Sequence, residues 1–280
     1  METTLVATTG PNTAGFLARR EIEAGRELIV AAGGDGTINE VANGMLHSQV
    51  PMAILPGGTA NVLAREMRLP MNLERAASQL VRCKPLRVAA GAVKVGRSAS
   101  RCFVCMAGAG LDAEIVARLN LDLKAATGKL AYYLGGFSQV FRALPEFEVA
   151  VDGKTHRASF ALVSRVRNYG GDLEIARGAS LLRDDFEVVL FRGTLALQYL
   201  PYFVGVALGR VGQMKGVTVL HGRSVTCREM PNENIYVQID GELAGKLPVH
   251  TEIIPDALTI LVPPEYVARE QVFAADSICA

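Results

Sequence analysis

No apolar run in this 280-residue chain is long enough to cross a bilayer uninterrupted. The strongest, TLALQYLPYFVGVALGRV at residues 194–211, is broken by Gln198 and Pro201 and falls short of the roughly 20 residues a span needs. It is expected to be a buried or half-buried helix, with lipid contact along one face left open. Net charge is also scarce: 29 Lys and Arg offset 28 Asp and Glu, leaving +1. No global field would therefore gather nucleic acid. Cysteine is sparse and unpaired, with five scattered residues. Cys102 and Cys105 form a lone CxxC with neither a second pair nor a nearby His, so buried thiols are expected rather than zinc or redox chemistry. His47, His156, His221 and His250 are isolated. Internal repeats and low-complexity segments are absent. METTLVATTGPN lacks a basic region followed by an apolar one, so the expected compartment is the cytoplasm.

What is present is regular alternation in the first 85 residues. Strand signals at 4–8, 28–32 and 51–55 interleave with helix signals at 14–24, 38–46, 61–68 and 73–81. Such alternation predicts an α/β unit, a parallel sheet with helices on both faces. From Pro85 the texture changes. Strand-like segments are expected at 86–95, 101–107, 146–151, 158–165, 186–192, 217–220, 224–228, 235–240 and 258–262. Asp152-Gly153, Gly170-Gly171 and Asp240-Gly241 punctuate them. These imply a mostly antiparallel β-sandwich with helices near 111–120, 128–143 and 195–210. The expected division is 1–85, 86–262 and a tail at 263–280 that could pack back on the first part.

Two glycine turns stand out. LIVAAGGDGTINEVANG places Gly33, Gly34, Asp35, Gly36 and Thr37 between a buried strand and a helix on which Ile38, Val41, Ala42 and Met45 recur at helical spacing. LPGGTANVLAREM repeats the arrangement with Gly57, Gly58, Thr59 and Asn61. Glycine lets backbone N–H groups approach a phosphate with a helix N-terminus behind them. Two such turns on successive parallel strands converge on the crevice where α/β sheets bind ligands. Asp35 is awkward beside an anion, and holding a metal ion, a water or a substrate hydroxyl is the better role. Thr59 or Asn61 could equally cap the helix.

GGDGTINEVANGM followed by LPGGTANVLAREM resembles the catalytic domain of the diacylglycerol and sphingosine kinase superfamily, including the bacterial lipid kinases. FVCMAGAGLDAEIV, GKLAYYLGGF, RVRNYGGDLEIARGASLLRDDFEVVLF and VQIDGELAGKLP extend the resemblance over nearly the whole chain. It implies a fold related to NAD kinase and phosphofructokinase joined to a β-sandwich, with the active site between them. It further implies ATP as phosphate donor, Mg²⁺, and a lipid alcohol acceptor at the membrane surface, diacylglycerol favoured over sphingoid bases and phosphatidylglycerol. A peripheral position on the inner membrane face follows from that, and a homodimer is allowed.

Carried over by position, the resemblance assigns Gly33 to Glu40, including Ile38 and Asn39, and Gly57, Gly58, Thr59 and Asn61 to the nucleotide site. Thr8 matches a threonine that touches the nucleotide. Glu242 matches the acceptor of the lipid hydroxyl proton, and Asp35 joins it in the catalytic centre. Without the resemblance, Glu242 reads as a turn residue beside an Asp-Gly hairpin. Asp184 matches a magnesium ligand, with main-chain oxygens at Leu181 and Phe186; Asp185 is the alternative. The matched region opens at the family's second strand, and a βα unit of roughly 30 residues ahead of it has no counterpart here. Weakened ATP binding is the expectation. The rival readings are an NAD kinase-like enzyme and a non-catalytic lipid- or nucleotide-binding relic.

Overall fold

A computed structural model describes residues 3–111, 113, 144–194, 196–228, 230–231 and 234–278. The helices expected at 111–120 and 128–143 fall almost wholly outside them. The first half runs α1 (Ala14–Glu23), β1 (Ile29–Gly33), α2 (Asp35–Gly44), β2 (Met52–Pro56), α3 (Val62–Glu66) and α4 (Leu73–Leu80). Ile38, Val41, Ala42 and Met45 are buried, so the apolar stripe of α2 faces the core as its spacing requires. The Asn72 side chain accepts from Arg75 N (3.0 Å) and starts α4.

Strands β3 (Lys84–Val95), β4 (Arg101–Phe103), β5 (Met106–Gly110), β6 (Phe147–Val151), β7 (Lys154–Ala158), β8 (Phe160–Ser164), β9 (Asn168–Tyr169), β10 (Leu173–Glu174) and β11 (Phe186–Phe191) follow. The chain continues through a 3₁₀ turn (Ala196–Tyr199) and α5 (Leu200–Ala207) to β12 (Val217–Gly222), β13 (Ser224–Cys227), β14 (Tyr236–Ile239), β15 (Glu242–Lys246), β16 (Val249–Val262) and α6 (Pro264–Ile278).

The larger sheet has the order β1-β2-β16-β13-β6-β7, with β3 also beside β16 and β4 beside β3. Within it β1–β2 and β2–β16 are parallel and the other pairs antiparallel. The smaller is antiparallel, β12-β11-β8-β5-β14-β15. Phe103 stacks on Phe186 at 5.6 Å between the two sheets, inside a core with Phe147, Val188 and Ile253. Strands β8 and β11 are buried at every position because the second face of their sheet is covered too. Phe160, Phe191, Tyr199 and Tyr202 cluster there.

Strands β7, β9, β10 and β15 lie outside the expected segments, the strand expected at 101–107 is divided into β4 and β5, and three further segments differ from expectation. Residues 4–8 form no strand, and Leu5 is 93% exposed; β-prone residues become a strand only with a ladder partner. The segment expected at 258–262 is the end of a 14-residue strand. Its register breaks between Ile254 and Leu258, and its last part runs beside both β2 and β3. The tail is a helix, α6, tied down by charge. Arg167 reaches both Glu270 oxygens (2.5 and 2.7 Å), and Arg269 donates to Glu66 O (2.9 Å).

Candidate active site

The two glycine turns sit at the carboxyl ends of the parallel neighbours β1 and β2 and touch backbone to backbone. Gly57 N donates to Gly33 O (2.9 Å). A Cβ on Gly58 would stand 2.6 Å from Gly34 Cα, so glycine is required by contact as well as by any ligand. Behind the first turn α2 begins at Asp35, and its first N–H groups have no carbonyl within the helix to take them. Such a terminus favours an anion.

Asp35 does something the sequence did not disclose. Its Oδ2 accepts from Asn61 N (2.9 Å) and its Oδ1 from Val62 N (2.7 Å), so it caps α3 across the cleft. Burial pushes its carboxyl up, against the pull of those two N–H groups. The carboxylate therefore clamps one glycine turn to the other. In Asp35→Asn one of the two donors must face an amide NH₂. We expect the second turn to loosen and apparent nucleotide affinity to fall about tenfold, read by calorimetric titration with Mg-ATP; unchanged affinity would show the clamp is not needed.

Other predicted phosphate-loop residues also hold the loops in shape. Asn61 closes its own turn, accepting from Gly58 N (2.8 Å) and donating to Gly58 O (2.7 Å). Glu40 accepts from Asn12 N and Ala14 N (2.7 and 2.9 Å), which caps α1. Ile38 is a core residue, Thr37 packs against Gly33, and Thr59 is exposed at the second turn. Thr8 lies exposed in the unpaired stretch at 3–9.

The turn between β14 and β15 brings Glu242 over the first glycine turn. A Cβ built on Gly36 would lie 2.7 Å from Glu242 Oε1. Its carboxylate is 60% exposed, with Arg101 Nη2 at 3.8 Å. A carboxylate thus stands against a helix N-terminus, far from Gly36 in sequence but adjacent to it in space. Gly36→Ala should displace it: kcat is expected to fall at least about tenfold with Tm little changed, and wild-type kcat would mean the carboxylate need not sit there.

Asp240 supports this placement and was not singled out in the sequence. It is fully buried. Oδ2 accepts from Asn39 Nδ2 (2.6 Å) and Val104 N (3.1 Å), and Oδ1 from Cys105 N and Met106 N (3.1 and 2.8 Å). Asn39 also donates to Cys102 O (3.0 Å). Burial pushes the Asp240 carboxyl up to about 6, so it is charged at neutral pH with all four donors aimed at it. The Asn39–Asp240 link joins the glycine-turn helix to the Glu242 hairpin. Only a pattern of Asn at one motif and Asp-Gly-Glu at the other hinted at it.

The metal ligands expected by resemblance are differently disposed. Burial opposes ionisation of Asp185, but bonds from Arg183 (2.8 and 2.5 Å) and His221 hold its carboxyl below the usual range. Asp184 is exposed, and Leu181 O already accepts from Arg165 Nη2 (3.3 Å). No group of three His, Cys, Asp or Glu poised for a metal occurs among the described residues. Of the expected donors, the Asp185 carboxylate and Leu181 O are already engaged by protein groups.

Paired glycine turns, an α/β half, a β-sandwich and a carboxylate against the first turn are the arrangement of a phosphotransferase class. Comparison with known proteins specifies it. Residues 1–93 match the diacylglycerol kinase catalytic domain, and residues 105–262 match the YegS C-terminal NAD kinase β-sandwich-like domain. The diacylglycerol kinase of Bacillus subtilis is 28% identical over 253 residues, 88% of this chain and 81% of that protein. That of Staphylococcus epidermidis is 26% identical over 287 residues, covering 99% and 87%. A crystal structure of a diacylglycerol kinase from Bacillus anthracis superposes with a TM-score of 0.72 at 24% identity, covering 93% of this chain and 85% of that one, a likeness of fold. The chain belongs to the diacylglycerol kinase and YegS family of lipid kinases.

Proposed function

We propose that the protein transfers the γ-phosphoryl group of ATP to the hydroxyl of a lipid alcohol, diacylglycerol first among them. The observation that carries this reading is the Glu242 carboxylate over Gly36, beside two abutting glycine turns. The N–H groups at the start of α2, in the first turn, bind and orient the nucleotide phosphates, with the second turn held against them. Asp35 fixes the spacing of the turns. Glu242 takes the hydroxyl proton as the oxygen attacks phosphorus, and ADP leaves. Such catalysis is mostly positioning and electrostatics, so a rigid loop pair suffices. Mg²⁺ enters with ATP as part of the nucleotide substrate and neutralises charge on its phosphates.

In this reading residues 1–85 form the nucleotide half, 86–262 the lipid half, and 263–280 returns to the first. No helix among the described residues is long and apolar enough to cross a membrane, and the lipid would be met at the membrane surface from the cytoplasmic side. Calorimetric titration with Mg-ATP tests the nucleotide half directly. Binding at micromolar to millimolar ATP is expected; silence at millimolar nucleotide would favour a non-catalytic relic.

A further inference from the structure

The family resemblance places a divalent cation between the Asp184 carboxylate and the main-chain oxygens of Leu181 and Phe186, yet a cation belonging to the protein already occupies that neighbourhood. Arg165, directly after β8, is completely buried. Its guanidinium reaches three main-chain carbonyls: Nη1 donates to Asp185 O (2.6 Å), and Nη2 to Leu181 O (3.3 Å) and Ala89 O (3.4 Å). Its Nε has no partner, and it takes part in none of the ion pairs among the described residues. Main-chain carbonyls converging on a buried positive charge are part of the oxygen set that hard metal ions also take, beside carboxylates and water. Burial lowers the Arg165 pKa to about 10, with Asp185 and Asp184 opposing the shift, so it is charged at neutral pH.

A magnesium ion bound to Leu181 O would sit about 2.1 Å from that oxygen and within about 5–6 Å of Nη2. Like charges at that separation in a poorly solvated pocket repel strongly. Asp185, the alternative carboxylate, is held by Arg183 and His221. Asp184 would be left to oppose that repulsion from an exposed position.

We propose that Arg165 replaces the divalent cation in this chain: its guanidinium ties the Leu181 and Asp185 carbonyls to Ala89 of β3, and the turn binds no metal. This does not rest on kinase activity, and its test uses neither nucleotide nor lipid. Thermal unfolding of the full chain is followed in EDTA and across Mg²⁺ and Mn²⁺ titrations into the millimolar range, for the wild type and Asp184→Asn. The expected result is no saturable rise in Tm for either protein. A saturable rise in the wild type that Asp184→Asn abolishes would overturn the proposal. Arg165→Gln, unfolded in EDTA without metal, is expected to lose on the order of 5 °C or more; retention of the wild-type Tm would equally overturn it. Should Arg165→Gln fail to fold, the wild-type titration decides alone.

Discussion

The Glu242→Gln enzyme is expected to bind Mg-ATP normally, unfold at the wild-type Tm, and phosphorylate lipid about 10²–10⁴-fold more slowly. The substitution keeps the shape of the side chain and removes only its capacity to accept a proton. Glu242 is mostly exposed, and its nearest charged partner, Arg101, is 3.8 Å away. Little folding energy depends on so open a pair. Its location over Gly36 is the reason to expect a kinetic effect. Steady-state kinetics and nucleotide titration on one preparation separate the effects. Near-normal turnover would remove Glu242 from proton transfer and leave it a hairpin residue.

Asp240→Asn is expected to be the most damaging conservative change in the cleft, costing about 3 kcal/mol of stability. Each carboxylate oxygen faces two N–H donors. Whichever way the amide is turned, its NH₂ meets a pair of donors with no acceptor between them. If Oδ2 is the atom replaced, the tie to Asn39 is also lost, and the hairpin carrying Glu242 separates from the glycine-turn helix. Denaturant unfolding measures the first consequence, and kcat at saturating ATP the second. A variant with wild-type stability and kcat would show that four buried bonds position nothing.

Much of the architecture was legible because periodicity and turns agreed. The alternation through residues 14–81 matches every helix and strand there, whereas the strand expected at 4–8 does not form. That segment has β-forming residues, but a strand also needs a neighbour, and composition does not reveal neighbours. The long β16 was seen only at its apolar end. Its first part alternates His250 and Glu252 with buried Thr251 and Ile253, and the irregularity after Ile254 interrupts that pattern. Helix α6 carries only modest amphipathic signal. It is held by Glu66, Arg167, Arg269 and Glu270, a charge cluster drawn from distant parts of the chain.

At the site, residue types were legible and their partners were not. Asp35, Glu40, Asn39 and Asn61 lie in motif positions that suggest ligand contact, yet each has hydrogen bonds to protein groups that shape the loops. An Asp facing a helix N-terminus 26 residues on is a long-range fact, absent from local spacing. Asp240 was overlooked because a buried carboxylate with four donors looks, in sequence, like the first half of an Asp-Gly turn. The sequence suggests phosphate-binding glycines, and the structure adds a second need: Gly34 and Gly58 meet each other.

In the proposed function the site formed by Gly36 and Glu242 moves phosphate from ATP to a lipid hydroxyl. The most direct measurement supplies ATP labelled at the γ-phosphate with a mixed-micelle panel of diacylglycerol, sphingoid base and phosphatidylglycerol, then counts label in the organic extract. Label is expected in an organic-soluble phospholipid, strongest from diacylglycerol, and is expected to be lost in Glu242→Gln. Label appearing in NADP when NAD is supplied, with none in any lipid, would contradict it.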